Sequence, residues 1–179
     1  MTGDELKAIQ APLKARYREN PVSAIQTMRV EGRLSPADLT VLIQTIAGPV
    51  TAGLHAATGG PGTWACSGDM LLEALVACAG VTLTAVATAM KIELRGGQVS
   101  AEGEIDFRGT LGVSKEVPVG FISIRLHFDL DADATEEQLK SLATLTERYC
   151  VIAQSLKTPP TLSIQLQPAG TSRSSEQHR

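Results

Sequence analysis

Ser67-Gly-Asp-Met-Leu-Leu-Glu-Ala-Leu-Val-Ala-Cys78-Ala-Gly-Val-Thr-Leu-Thr-Ala-Val-Ala-Thr-Ala-Met90 is the stretch on which the fold turns. Asp69 and Glu73 stand near its start, and from Ala74 to Met90 no charge interrupts it. A run this apolar is either a membrane span or a helix enclosed by the rest of the chain. It is slightly short for a bilayer and uses Ala, Thr and Gly as freely as Leu and Val, which predicts a buried core helix over 69–90 capped by Ser67 or Asp69. Such a helix must be covered on nearly every side.

The cover is sought on either side of it. Downstream, Gln98 to Phe107 alternates, with Val99, Ala101, Ile105 and Phe107 on one face and Ser100, Glu102, Glu104 and Asp106 on the other. Ile122 to Leu130 repeats the pattern, with Ile122, Ile124, Leu126, Phe128 and Leu130 inward. These are two strands of a hairpin joined through Gly109 to Gly120. Thr135 and Gln138 then make a capping-box pattern that opens a second long helix, expected to run to about Leu156 before Pro159 and Pro160 stop it. Leu162 to Leu166 is a short strand.

Upstream, Ala24 to Val30 and Leu39 to Ile46 read as strands joined by the turn-rich Gly32 to Asp38. Asp4 to Tyr17 is a short or kinked amphipathic helix interrupted at Pro12. Ala47 to Gly68 is punctuated by glycine and proline around His55 and Trp64, which suits a third strand and a long loop. The order is strand hairpin, buried helix, strand hairpin, second helix, short strand. That is an α+β pattern with helices packed on sheet.

Composition narrows the function. The 179 residues suit one domain, and 43% hydrophobic with 20% charged residues is ordinary globular usage. Sixteen Lys+Arg against 19 Asp+Glu leave no basic footprint for nucleic acid or an anionic membrane. Three cysteines, Cys66, Cys78 and Cys150, form no C-x-x-C pair and no even disulfide framework. His55, His127 and His178 are scattered, so no metal or other cofactor is expected, and glycines 59, 60 and 62 lack nucleotide-loop spacing. The acidic start of the chain has no export signature, so a cytoplasmic protein is expected.

Ser67-Gly-Asp-Met-Leu-Leu-Glu-Ala-Leu-Val-Ala-Cys78 resembles the first-cysteine helix of the OsmC/Ohr family, osmotically inducible and organic hydroperoxide resistance proteins, which reads approximately P-x-E-x-L-L-x-A-L-x-A-C. Tyr149-Cys-Val-Ile-Ala-Gln-Ser-Leu156 is similar to the family's second-cysteine segment, commonly C-P-V-S-x-x-L. The element order agrees as well. The resemblance divides the chain into an N-terminal helical extension at 1–22 and an OsmC-like domain at 23–167, and the Ser-, Gly- and charge-rich stretch at 168–179, with no apolar periodicity, is expected to be a disordered tail. The resemblance implies an OsmC-like α+β fold, two antiparallel strand groups around long central helices, built as an intertwined homodimer.

The resemblance also implies a cysteine-based peroxidase that reduces small organic hydroperoxides, with Cys78 peroxidatic, Cys150 resolving and a dihydrolipoyl-type dithiol as reductant. The chemistry is sound: a thiolate attacks the O–O bond, and a second thiol captures the sulfenic acid as a disulfide before it oxidises further. A cysteine in mid-helix gains little from the helix dipole, so a cation is expected beside it. In the Ohr-like branch that cation is an arginine of the first hairpin, partnered by a glutamate early in the first-cysteine helix. Arg33 is the best match, with Arg29 second, and the glutamate's place falls on or beside Asp69.

The sequence departs from the family pattern in three places: Asp69 is shorter than glutamate, no proline precedes it, and Val151 replaces the proline after the second cysteine. Read without the resemblance, Arg33 is a solvated turn residue, Asp69 a helix cap, and Cys78 and Cys150 two buried structural thiols. The departures leave a second function open, a non-catalytic OsmC-fold module that binds an apolar small molecule. Cys66, a few residues ahead of the helix, is either a spare thiol able to trap oxidised Cys78 or unrelated to it.

Overall fold

A computed structural model describes residues 1–167; the predicted tail at 168–179 lies outside them. Helix α1 (Gly3–Glu19) opens on a capping box between Thr2 and Glu5 and runs on through Pro12, so it is longer than the interruption suggested. A short 3-10 turn at Pro21–Ala24 follows.

The first sheet is an antiparallel meander of β1 (Gly32–Ser35), β2 (Thr40–Thr45) and β3 (Gly48–Ala52). This corrects the predicted hairpin. Ala24–Val30 forms no strand, because no neighbouring strand pairs with it, and Ile25, Met28 and Val30 stand exposed. Half of the expected turn is instead β1, and the actual turn is tighter. Pro36 fixes the backbone just after Ser35, the Asp38 N–H donates to the Ser35 carbonyl at 3.3 Å, and the Ser35 hydroxyl donates to Asp38 at 2.9 Å.

Helix α2 (Ser67–Ala89) is the expected long helix, but it is not enclosed as predicted: only one face of it is buried within this chain. Its N-cap is Cys66 rather than Ser67 or Asp69. No side chain caps it, and Asp69 sits inside the first turn, where a carboxylate complements the helix dipole. The length and apolarity of α2 would also serve a membrane span. In the fold its Leu75, Ala79, Leu83 and Ala87, spaced by one turn, pack on the second sheet and on α4.

That sheet orders β4 (Glu93–Ile105), β5 (Phe121–Asp133) and β6 (Thr161–Leu166), with β4 antiparallel and β6 parallel to the central β5. Ile124, Leu126, Phe128 and Leu130 of β5 line up on its buried face, as alternation predicts. Ile122 does not: the register slips between Glu104 and Ile105, and Ile122 turns out to 50% exposure. Phe107, expected at the end of a strand, opens the single helical turn α3 (Phe107–Thr110).

The second long helix is also two pieces. Helix α4 (Glu136–Tyr149) starts on the predicted Thr135–Gln138 capping box but ends at Cys150, whose φ −74° and ψ 104° are extended, and α5 (Val151–Ser155) restarts at once. The break leaves few backbone groups unpaired. The Cys150 N–H still donates to Thr146, the Gln154 N–H donates to the Cys150 carbonyl, and the Gln154 side chain donates to the Glu147 carbonyl at 2.9 Å.

Candidate active site

The kink at Cys150 places a sulfur and two backbone N–H groups against the middle of α2. Cys150 is 1% exposed, within the core that α2 and α4 share, and α5 packs directly on α2. Cys78 faces this junction from α2, half-buried, with Thr82 one turn further along the same helix face. All three cysteines are free thiols.

Both sulfurs at this junction face backbone N–H groups, Cys78 those of Val151 and Ile152 and Cys150 those of Ala153 and Ile152. The N–H groups of Ile152 and Val151, the Cys150 thiol and the Thr82 hydroxyl are the polar groups near the Cys78 sulfur that favour its charged form. Burial alone would push the Cys78 thiol up, but the four donors together bring it below the ordinary thiol range. Cys150 moves the other way. Burial raises it, the Ala153 N–H offsets part of that, and the neighbouring Cys78 sulfur raises it further. Of the two, Cys78 is therefore the sulfur that ionises more readily, and Cys150 the one that keeps its proton longer. That arrangement suits a two-electron oxidation, with a nucleophilic sulfur and a second sulfur ready to close a disulfide.

The other residues singled out from the sequence lie elsewhere in the single chain. Arg33 is exposed on β1, opposite Leu42, and no extensive packing joins the first sheet to α2. Arg29 pairs loosely with Glu31 at 3.7 Å, both side chains in solvent. Asp69 precedes Cys78 by nine residues, two and a half helical turns, which sets it on the opposite side of α2 and roughly 13 Å away along the axis. Cys66 caps α2 about 18 Å along the axis from Cys78 by the same rise, too far to meet its sulfur within one folded chain.

His55 serves the fold instead. Its Nδ1 accepts from the Ala57 N–H at 3.0 Å, and its ring stacks on Phe107 at 4.9 Å. His127 meets Ser163 at 2.8 Å on the outer sheet face, and His178 lies outside the described residues. Among the described residues no group of three metal-binding side chains gathers.

Sequence reasoning missed the Val151 and Ile152 N–H groups. No glycine or proline marks the break that aims them, so the segment reads as continuous helix. Thr82 was within reach of a sequence argument, because its spacing from Cys78 puts the two on one face.

Residues 60–165 match the family of OsmC-like proteins. No curated protein matches the chain significantly. Among solved structures the fold is shared with an OsmC-like protein from Mycoplasma pneumoniae, at 16% identity and TM-score 0.63, over 79% of this chain and 97% of that one. It is shared too with an organic hydroperoxide resistance protein OsmC from Legionella pneumophila, at 14% identity and TM-score 0.61, covering 80% and 100% of the two chains. An organic hydroperoxide resistance protein from Elizabethkingia anophelis gives 15% and 0.63, over 79% and 99%.

Proposed function

The chain belongs to the OsmC-like protein family, and from that premise we propose that it is a cysteine-based peroxidase reducing small organic hydroperoxides in the cytoplasm. The observation that carries this reading is the packing of α5 on α2, which brings half-buried Cys78 and buried Cys150, both free thiols, to one junction where the Cys78 thiol is drawn down and the Cys150 thiol pushed up. The Cys78 sulfur attacks the outer peroxide oxygen, the O–O bond breaks, and the departing alkoxide takes the Cys150 proton to leave as an alcohol. The Cys150 thiolate then attacks the Cys78 sulfenic acid, forming the disulfide and releasing hydroxide, which solvent protonates to water. A dithiol of the dihydrolipoyl class returns both thiols.

The direct test is to add an organic hydroperoxide and follow Cys78 by peptide mapping. The expected result is rapid loss of its free thiol and appearance of a Cys78–Cys150 disulfide. A Cys78 thiol that persists under peroxide would leave the fold as a binding module for an apolar small molecule.

The working unit of this reading is a homodimer. Only 22% of the most apolar window of α2 is buried in the single chain, and Val81 at its middle is 73% exposed. A second copy covers this face economically, through an obligate-type interface above about 2,000 Å². The first sheet, free of α2 of its own chain, would then bring Arg33 toward Cys78 of the other copy. Arg33→Ala and Cys78→Ser proteins unfolded and refolded together should regain part of the lost turnover, since some mixed dimers hold one intact site. Proven mixed dimers without that gain would remove Arg33 from the shared site, and a fully active monomer would remove the dimer.

A further inference from the structure

Among the described residues, Thr146 of α4 holds the one buried side-chain oxygen without a hydrogen-bond partner. The residue is fully buried, at 0% exposure. A helical threonine can send its hydroxyl back to the carbonyl one turn earlier, as Thr84, Thr88 and Thr144 do at 2.8–3.0 Å. The Thr146 hydroxyl forgoes even that bond. Valine has the same branched shape and would fill this place with no oxygen to desolvate, so an unpaired hydroxyl here weakens the fold.

Beside it stands Cys150. The Cys150 N–H donates to the Thr146 carbonyl at 3.0 Å, which sets the two residues one helical turn apart, on the face of α4 that also carries buried Leu142. Cys150 and Leu142 belong to one apolar core cluster with Leu75 and Ala79 of α2. In the proposed reaction Cys150 gives its proton to the departing alkoxide, and it must then persist as an anion, away from water, until it attacks the Cys78 sulfenic acid. A thiolate buried among apolar side chains needs a hydrogen-bond donor.

We infer that the Thr146 hydroxyl is the donor held in reserve for the Cys150 sulfur: unpartnered while both thiols are reduced, it turns about its Cα–Cβ bond to meet Cys150 once that sulfur ionises, and so speeds disulfide closure. A helical threonine has two accessible rotamers, so the turn requires no backbone movement. Side chains one turn apart stand about 5–6 Å between Cβ atoms, a gap that an oxygen on one and a sulfur on the other can bridge. Burial pushes the Cys150 thiol up, so a donor to its anion enlarges the share of the sulfur able to attack. The inference rests on Cys150 being the thiol that closes the disulfide with Cys78, and its test uses no peroxide.

Diamide supplies the oxidant. The Cys78 thiolate adds across its N=N bond with a solvent proton; the Cys150 thiolate then attacks the Cys78 sulfur, and the hydrazine leaves with a second proton as the S–S bond forms. Acid quenching and the masses of the Cys78 and Cys150 peptides follow the two steps separately. In Thr146→Val the first step should keep the parent rate, while the second should slow by about threefold to tenfold. The thiolate fraction falls more than that, and the stronger nucleophilicity of a more basic sulfur offsets part of the loss. Thr146→Ser keeps the hydroxyl and should close as the parent does. The melting temperature of Thr146→Val should equal or exceed the parent's, since the unpaired oxygen is gone. Should the valine variant fold poorly, Thr146→Ala against Thr146→Ser makes the same comparison, two side chains of similar size that differ by one hydroxyl. Equal closure with and without the hydroxyl would overturn the inference. So would slow closure shared by Thr146→Ser and Thr146→Ala, which marks a packing role, or a parent protein in which diamide closes no Cys78–Cys150 disulfide. Slowed closure in Thr146→Val, in a protein whose Cys78 does not react with organic hydroperoxides, would uphold this inference while ending the peroxidase reading.

Discussion

Cys78→Ser is expected to abolish hydroperoxide turnover, by on the order of 10³-fold or more, the scale on which removing a nucleophile acts, while the protein stays folded. A hydroxyl is close in size to a thiol and fits the half-buried place of Cys78 on α2. Stability should therefore change by no more than about 1 kcal/mol. What is lost is the anion, since a serine hydroxyl stays protonated in the pH range where the Cys78 thiol ionises. Turnover of an organic hydroperoxide, read with the thermal melt, checks both halves. Retained turnover with an unchanged melt would dismiss Cys78 as the peroxidatic sulfur.

Cys150→Ala should separate the two half-reactions. The first oxidation of Cys78 survives, because the attacking sulfur keeps its N–H donors, but no thiol remains to capture the sulfenic acid. Multiple turnover should stop after one equivalent, and sulfinic acid should accumulate on Cys78 as peroxide is raised, visible as the mass of two added oxygens. The variant also loses the Cys150 S–H as a donor to Cys78. Its alkylation midpoint should therefore move to higher pH, the sign expected when a group that favours the thiolate is removed. Because Cys150 is 1% exposed in the core, the small cavity should cost about 1–2 kcal/mol, leaving a folded protein in which the stall can be read. Sustained turnover by Cys150→Ala would transfer the resolving role to another thiol.

Much was legible in the residues themselves. The uncharged run from Ala74 to Met90 marks a long helix with an apolar face to bury, because no charged side chain in it calls for solvent. The period of two in Ile124, Leu126, Phe128 and Leu130 identifies the face of β5 that packs on it. Thr135 with Gln138 sets the start of α4, since the capping box is a local arrangement of four residues. These features depend on neighbours in the chain, and the chain records them directly.

Tertiary structure decided the rest. Ala24–Val30 has the composition of a strand, but a strand exists only where another pairs with it, and the partner for β2 turned out to be Gly32–Ser35. The extended backbone at Cys150 was hidden because Val151 stands where the resemblance has proline, the residue that would have announced a break. The site follows from that break. Cys78 and Cys150 are 72 positions apart, and only the packing of α5 on α2 brings the two thiols together and moves their acidities in opposite directions. Burial and hydrogen bonding, which set the charge on a sulfur, are properties of what surrounds it in space, and spacing along a chain cannot encode them.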